Sequence, residues 1–254
     1  MAKKKAKNTL LSAAEAKIER QTLIGPNMNF ASAEAYKLLR TNLMFSFSGA
    51  ASNHIIGITS SFRGEGKSIT AINLAYTFAE AEKKVLLVEG DMRLPAMAKR
   101  LNFLQKPGLS NLLVGLNSIG SAIQEYRVTV DDKQIAFDVI VSGDIPPNPS
   151  ELLGSERMIS LLDRLRERYD YVILDLPPVT AVTDAVIASH MVDGMVVVVR
   201  AGHAVRGGLA ETMRQLSLAN AHILGFVFKG AGGGESKYYK KDYYSSYYAA
   251  GSSK

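Results

Sequence analysis

The run GMVVVVR, residues 194–200, is apolar at every position between its first and last residues. A strand with one wet face alternates apolar and polar side chains. A strand apolar throughout is covered on both faces. The same character recurs in HIIGITS (54–60), KVLLVEGD (84–91), FDVIVSG (137–143), YVILDLPP (171–178) and HILGFVFKG (222–230). Helical spacing fills most of the gaps, over 69–81 and roughly 155–168, 182–190 and 204–219. The pattern predicts an α/β fold, with a mostly parallel central sheet and helices on both faces. Ahead of the first strand, ASAEAYKLLRTNLMFSF (31–47) reads as an amphipathic helix with Ala35, Leu38, Leu39 and Leu43 near one face. Residues 102–134 read as short helices and a loop inserted between strands.

Composition narrows the chemistry. A chain of 254 residues suits one large α/β domain or two small ones. There is no cysteine, which removes disulfides, thiolate catalysis and cysteine-ligated metals. No apolar run approaches the ~18–20 residues of a membrane span. The opening MAKKKAKNTLLSAAEAKIERQ lacks an apolar core of signal-peptide length, so a cytoplasmic location is expected. The net charge of +6 is uneven: residues 1–20 hold six Lys or Arg and two Glu, a net of +4. Such an arm suits an acidic partner, an anionic membrane surface or plain solvent. It has no aromatic residue to stack on bases, and nucleic acid is not expected as a partner. The organisation expected is a basic arm over 1–29, one domain over 30–229 and a Gly-rich, tyrosine-bearing tail over 230–254.

Between the first strand and its helix lies SSFRGEGKSIT (60–70). Strand, Gly-rich loop and helix in that order make a phosphate-binding loop of the P-loop NTPase type. The nucleotide-binding residues expected are Ser61, Phe62, Arg63, Gly64, Glu65, Gly66, Lys67, Ser68 and Ile69. Gly64 and Gly66 let the backbone turn its N–H groups inward, Lys67 brings charge to the β/γ-phosphates, and Ser68 offers a hydroxyl to Mg²⁺. The usual pattern begins with Gly, and Ser61 stands at that position.

Two strands end in carboxylates: VLLVEGDMR with Glu89 and Asp91, and YVILDLPP with Asp175. In a parallel sheet the C-terminal strand ends face the ligand. Asp91 and Asp175 are therefore expected with Ser68 around Mg²⁺. Asp91 is the first choice of proton acceptor and Glu89 the second. Arg93 is either a phosphate or neighbouring-subunit contact or a surface residue.

The chain closes on YYKKDYYSSYY (238–248), six of the eleven tyrosines in eleven residues, after the Gly-rich KGAGGGESK. The pairs fit neither strand alternation nor a helical stripe, and the composition suits an exposed segment.

With EAYKLLRTN, GEGKS, VLLVEGDMRLP, PPNPSELLGSERM, YDYVILDLPPV, DGMVVVVR and this cluster together, the chain resembles the bacterial tyrosine kinases (BY-kinases) over about residues 30–248. It looks like their stand-alone cytoplasmic Gram-positive type, linked to capsule or exopolysaccharide synthesis. The resemblance implies an ATP- and Mg²⁺-dependent protein-tyrosine kinase, with Lys67, Asp91, Glu89 and Asp175 in its catalytic machinery. It implies autophosphorylation, in trans, of Tyr238, Tyr239, Tyr243, Tyr244, Tyr247 and Tyr248. A membrane-anchored activator would recruit the enzyme to the inner face of the cell membrane. Ring-like homo-oligomers would form through Glu34, Lys37 and Arg40, and a phosphotyrosine phosphatase would oppose the reaction. Two departures stand out: Glu89 where the family has Asp, and Lys37 where it has Arg, which costs a bidentate fork. Two other functions are compatible with a P-loop. One is a nucleotide-switch ATPase similar to the MinD/ParA group, whose signature Lys would fall at Phe62. The other is a nucleotide-binding regulatory subunit with impaired catalysis.

Overall fold

The computed structural model describes residues 30–47, 53–203 and 205–230. The basic arm over 1–29 and the tyrosine cluster lie outside the described residues. The described chain forms one seven-stranded sheet. In chain order its strands are β1 (His54–Ser60), β2 (Val85–Glu89), β3 (Ile123–Val130), β4 (Lys133–Ile140), β5 (Tyr171–Asp175), β6 (Gly194–Arg200) and β7 (Ile223–Lys229). The spatial order is β3-β4-β2-β5-β1-β6-β7. Every neighbouring pair is parallel except β3 with β4.

Strands β1, β2, β5 and β6 bury both faces, as their composition requires, but β7, expected to do the same, is an edge strand that leaves Phe226 and Phe228 exposed. Ile56, Ile58, Leu87 and Ile173 pack in one cluster with α1 (Phe30–Ser46) and α2 (Lys67–Glu80). Ile55, Leu86, Val88 and Val172 point the other way. They meet Leu161 and Leu165 of α7 (Glu156–Arg166) and Leu216 of α9 (Arg206–Leu218). Each such side chain, fully buried, contributes about 1.5–3 kcal/mol. The remaining described helices are short: α3 (Met97–Leu101), α4 (Leu109–Leu113), α5 (Ile119–Ala122), α6 (Pro149–Leu153) and α8 (Asp184–Ala188).

Two further expectations need correcting. The region 102–134 is not only short helices and loop: it contains β3, which pairs with β4 along eight residues. A two-residue loop joins them, and both Asp131 (φ 46°) and Asp132 (φ 62°) are left-handed, as a tight hairpin turn demands. Because β3 is an antiparallel edge, it alternates: Tyr126, Val128 and Val130 rest on the core while Glu125, Arg127 and Thr129 are exposed. In α1, Leu38 is exposed instead of inward, and Tyr36 with Leu43 supplies the buried stripe. Tyr36 is three residues from Leu39 and seven from Leu43, which returns it to the same side of the helix.

Candidate active site

The adjacent C-terminal ends of β2, β5 and β1 set the site. Register places Glu89 opposite Asp175 and Asp175 opposite Ile58. The chain leaves β1 at Ser60, turns through 61–66 and enters α2 at Lys67. The turn needs its glycines: Gly64 and Gly66 adopt φ of 89° and 94°, a region that penalises any side chain. The loop is tied internally, with Phe62 N–H donating to Glu65 Oε2 at 2.8 Å. It is tied to its surroundings as well. The Phe62 ring lies against Gly208, where an added Cβ would fall 2.1 Å from it. Ser61, in place of the customary Gly, is buried, and its hydroxyl accepts from Thr212 of α9 at 2.9 Å. Phe62 at the position of the MinD/ParA signature Lys is thus a packing residue.

Lys67 joins the three segments. Its ammonium donates to Asp91 Oδ2 at 2.8 Å and to Asp175 Oδ1 at 3.5 Å. The side chains are 12% exposed for Lys67, 8% for Asp91 and 1% for Asp175, so the charges meet away from bulk water. Burial disfavours the Lys67 charge, but Asp175 and Asp91 outweigh it and hold its pKa above the ordinary lysine value. Burial pushes the Asp175 carboxyl above the usual carboxylate range, against the pull of Lys67 and of a hydrogen bond from Ser68. Asp91 is fixed on its other oxygen by Leu94 N–H at 3.1 Å.

These residues fit a nucleotide with a hard divalent cation. Ser68, Asp91 and Asp175 give one hydroxyl and two carboxylates, the sparse oxygen set that suits Mg²⁺ completed by phosphates and water. Among the described residues no cluster of three or more His, Cys, Asp or Glu offers an all-protein metal cage.

Glu89 serves differently from Asp91. Its Oε1 accepts from Ala96 N–H at 2.6 Å and Met97 N–H at 2.7 Å, and its Oε2 from Ser142 N–H at 3.0 Å. Burial raises its pKa, opposed by those three amides. With both oxygens engaged by backbone, Glu89 braces the segment that carries Asp91, which argues against its second-choice role as proton acceptor. The extra methylene relative to Asp supplies the reach for that brace.

Arg93 is neither loose on the surface nor turned to the phosphate loop. It grips Asp184 through two nitrogens, Nε at 2.9 Å and Nη2 at 3.1 Å, and Nη2 also donates to Ser150 Oγ at 2.8 Å. Ser150 in turn donates to Asp184 at 2.6 Å, and Asp184 is fully buried. The segment bearing Asp91 is therefore held at Glu89 and again at Arg93.

On α1, Glu34 pairs with Lys37 at 3.1 Å, while Arg40 donates to Thr77 O at 2.7 Å and approaches Glu80 at 3.8 Å. Arg40 thus docks α1 on α2, and Glu34 and Lys37 stay partly exposed. No described helix is long and apolar enough to cross a membrane.

Sequence reasoning missed Ser150, Asp184 and Thr212, and the residues of β6 and β7 that border the loop. Arg200 Nη1 donates to Gly64 O at 3.1 Å, and His203 Nε2 lies 2.9 Å from Arg63 O. Lys229 lies over Gly66, its Nζ 2.9 Å from where a Cβ would sit. Thr212, Arg200 and His203 meet their partners across more than a hundred residues of chain, Ser150 and Asp184 meet Arg93 across 57 and 91, and Lys229 belongs to a strand whose own pattern says nothing of a site. Only Arg93, two residues from Asp91, offered a local signal.

Residues 53–224 match the family model described as an AAA domain. A tyrosine-protein kinase of Bacillus subtilis, YwqD, is 37% identical over 198 residues, covering 78% of this chain and 81% of that protein. The kinase domain of the Escherichia coli tyrosine kinase ETK superposes with a TM-score of 0.73 at 32% identity, over 81% of this chain and 78% of that one. The chimerical protein CapA2B2 gives 0.68 at 36% identity, over 76% and 82%.

Proposed function

The chain belongs to the bacterial tyrosine kinases (BY-kinases), and from that premise we propose that it transfers the γ-phosphoryl group of ATP to tyrosine hydroxyls, its own C-terminal cluster included. The observation that carries the reading is the convergence of Lys67, Asp91 and Asp175 from three separate segments beside the phosphate loop. The end of β7 supports the identity of the substrate. Lys229 lies against Gly66, so the chain leaves Gly230 toward its tyrosines at the border of the same loop.

In this reaction the bond from the γ-phosphorus to the bridging oxygen of ADP breaks, and a bond to the tyrosine oxygen forms. The protein's contribution is placement and charge. Backbone N–H groups of 63–68, at the start of α2, would face the phosphates, and the Lys67 ammonium would offset their charge. Ser68, Asp175 and Asp91 would hold Mg²⁺, which neutralises phosphate charge. A tyrosine hydroxyl titrates near ~10, so its proton must be taken. Asp91 is the acceptor, held by Leu94 N–H and by the two braces on its segment.

Further parts of the reading rest on the family resemblance: transfer in trans within a ring, an activator that recruits the enzyme to the membrane, reversal by a phosphatase, and control of capsule or exopolysaccharide synthesis. The chimerical relative CapA2B2 supports a partner fused or docked to the kinase. The α1 surface at Glu34 and Lys37 is the interface proposed. The test is radiolabelled ATP with purified protein and the activator segment, followed by phosphoamino-acid analysis. Phosphotyrosine is expected. Release of free phosphate alone would turn the reading into a switch ATPase, and binding without turnover into a regulator.

A further inference from the structure

The sheet edge from which the chain runs on to its tyrosines carries an uncovered aromatic surface. Among the described strands, β7 pairs with β6 alone and ends the sheet. Its Leu224 and Val227 pack on the core, whereas Phe226 is 41% exposed and Phe228 65%, with ring centroids 6.4 Å apart. Phe228 also walls a groove of about 250 Å³ between β7 and α1, together with Val227, Ala35, Tyr36 and Leu39. Exposed rings beside an apolar groove have the composition of an interaction surface. Gly230 lies on the rim of that groove with a φ of 76°, so the chain bends as it leaves the strand.

We propose that this surface docks unmodified tyrosines of the chain's own tail, within one molecule, and so withholds them from the active site. The docking needs no phosphorylation; the withholding rests on the kinase reading. Composition and connectivity select the occupant. A tyrosine buries its ring against apolar neighbours and keeps its hydroxyl in water, which a shallow groove with an aromatic wall allows. The tail holds six tyrosines in eleven residues, whereas residues 1–29, the other segment outside the described domain, hold no aromatic residue. Tyr238 follows Gly230 by eight residues, and Phe228 and Phe226 precede it by two and four. Eight residues span at most about 26–29 Å extended, and a random coil of that length spans about 14–17 Å. At ~3.3 Å per strand residue, the two rings stand about 7 and 13 Å back from Gly230, within that reach. So short a tether sets an effective concentration on the order of millimolar, at which individually weak aromatic contacts hold the tail. A tyrosine on the groove is not at Asp91, so docking slows its use as acceptor.

The test is trypsin cleavage of the dephosphorylated full chain without nucleotide, read by mass spectrometry at Lys237, Lys240 and Lys241. An isotope-labelled synthetic peptide of residues 230–254 in the same tube is the undocked reference. Cleavage tracks the undocked fraction, so the chain's tail should be cut at least threefold more slowly than the peptide. Phe226→Ser with Phe228→Ser should bring the tail to the peptide's rate while the melting temperature holds. Serine at all six tail tyrosines should do the same against a matching serine peptide, and leaves β7 untouched. Protection should survive tenfold dilution. A wild-type tail cut as fast as the peptide, or protection kept in the folded double variant or in the serine-tailed chain, would overturn the proposal. Protection lost on dilution would overturn it too, by making a second copy the occupant. Withholding is read separately: with ATP, Mg²⁺ and the activator segment, the double variant should label its tail at least twofold faster, and an equal rate would refute it. Absence of phosphotyrosine in both chains would instead refute the kinase reading, with docking still decided by trypsin.

Discussion

Replacing Lys67 with Met removes the phosphate-facing charge, and the structure adds a second consequence. The Lys67 ammonium is the cation shared by Asp91 at 2.8 Å and Asp175 at 3.5 Å, and all three side chains are at most 12% exposed. Methionine keeps the unbranched stem and leaves two neighbouring carboxylates buried without compensation. Breaking a buried pair by removing one partner costs about 3–5 kcal/mol. At ~2–4 °C per kcal/mol for a domain of this size, the melting temperature should fall by about 6–20 °C. The loss should depend on pH with a definite sign. Burial already holds the folded-state pKa of Asp175 above its ordinary value, and Lys67 opposes that rise. Without Lys67 the folded form binds its proton more tightly still, whereas the unfolded chain does not. The stability such a group contributes is fully present below its unfolded-chain pKa and is lost as pH rises through the folded value. Melts of Lys67→Met and wild type at pH 7.5 and 5.5 should therefore converge as pH falls. Millimolar Mg²⁺ should stabilise the variant more than wild type, by taking the orphaned carboxylates. Phosphotransfer should be lost throughout. A variant that melts with wild type at both pH values and ignores Mg²⁺ would refute the claim that Lys67 neutralises this pair.

The Arg93 brace predicts a kinetic split. Arg93→Lys and Asp184→Asn should each lower kcat about 10–100-fold through misplacement of Asp91, with little change in KM for ATP; the double variant should be no worse than the more damaged single, and additive losses would deny that they act through one contact. Glu89→Gln presents a donor where three backbone amides need acceptors and should cost about 1–3 kcal/mol in a urea melt. Residual phosphotransfer in Glu89→Gln that is absent in Asp91→Asn would separate brace from base, and the reverse order would exchange their roles. Substituting Glu34, Lys37 and Arg40 together with Ala should shift the activated protein toward monomer in light scattering and, because Arg40 docks α1 on α2, lower its melting temperature; an unchanged assembly would move the interface elsewhere.

The amino-acid sequence alone determined most of what local pattern can carry. Continuous apolar runs specified buried parallel strands, because a strand covered on both faces has no polar side to show. Gly64 and Gly66 with Lys67 and Ser68 specified the phosphate loop, because left-handed backbone and a helix start leave a local trace. Asp175 was legible as a carboxylate at the end of an apolar strand. The hairpin strand β3 was missed, though its alternation and its Asp131-Asp132 turn were present, because an edge strand with one wet face resembles polar loop when continuous apolar runs are the guide. The tertiary structure alone decided which carboxylate does what. Glu89 and Asp91 stand two residues apart with the same charge, yet one meets three backbone amides and the other meets Lys67. It decided too that Arg93 grips Asp184, ninety-one residues away, and that the last strand ends over Gly66. Such pairings depend on strand order and helix docking, which fix distances between segments that no local periodicity encodes.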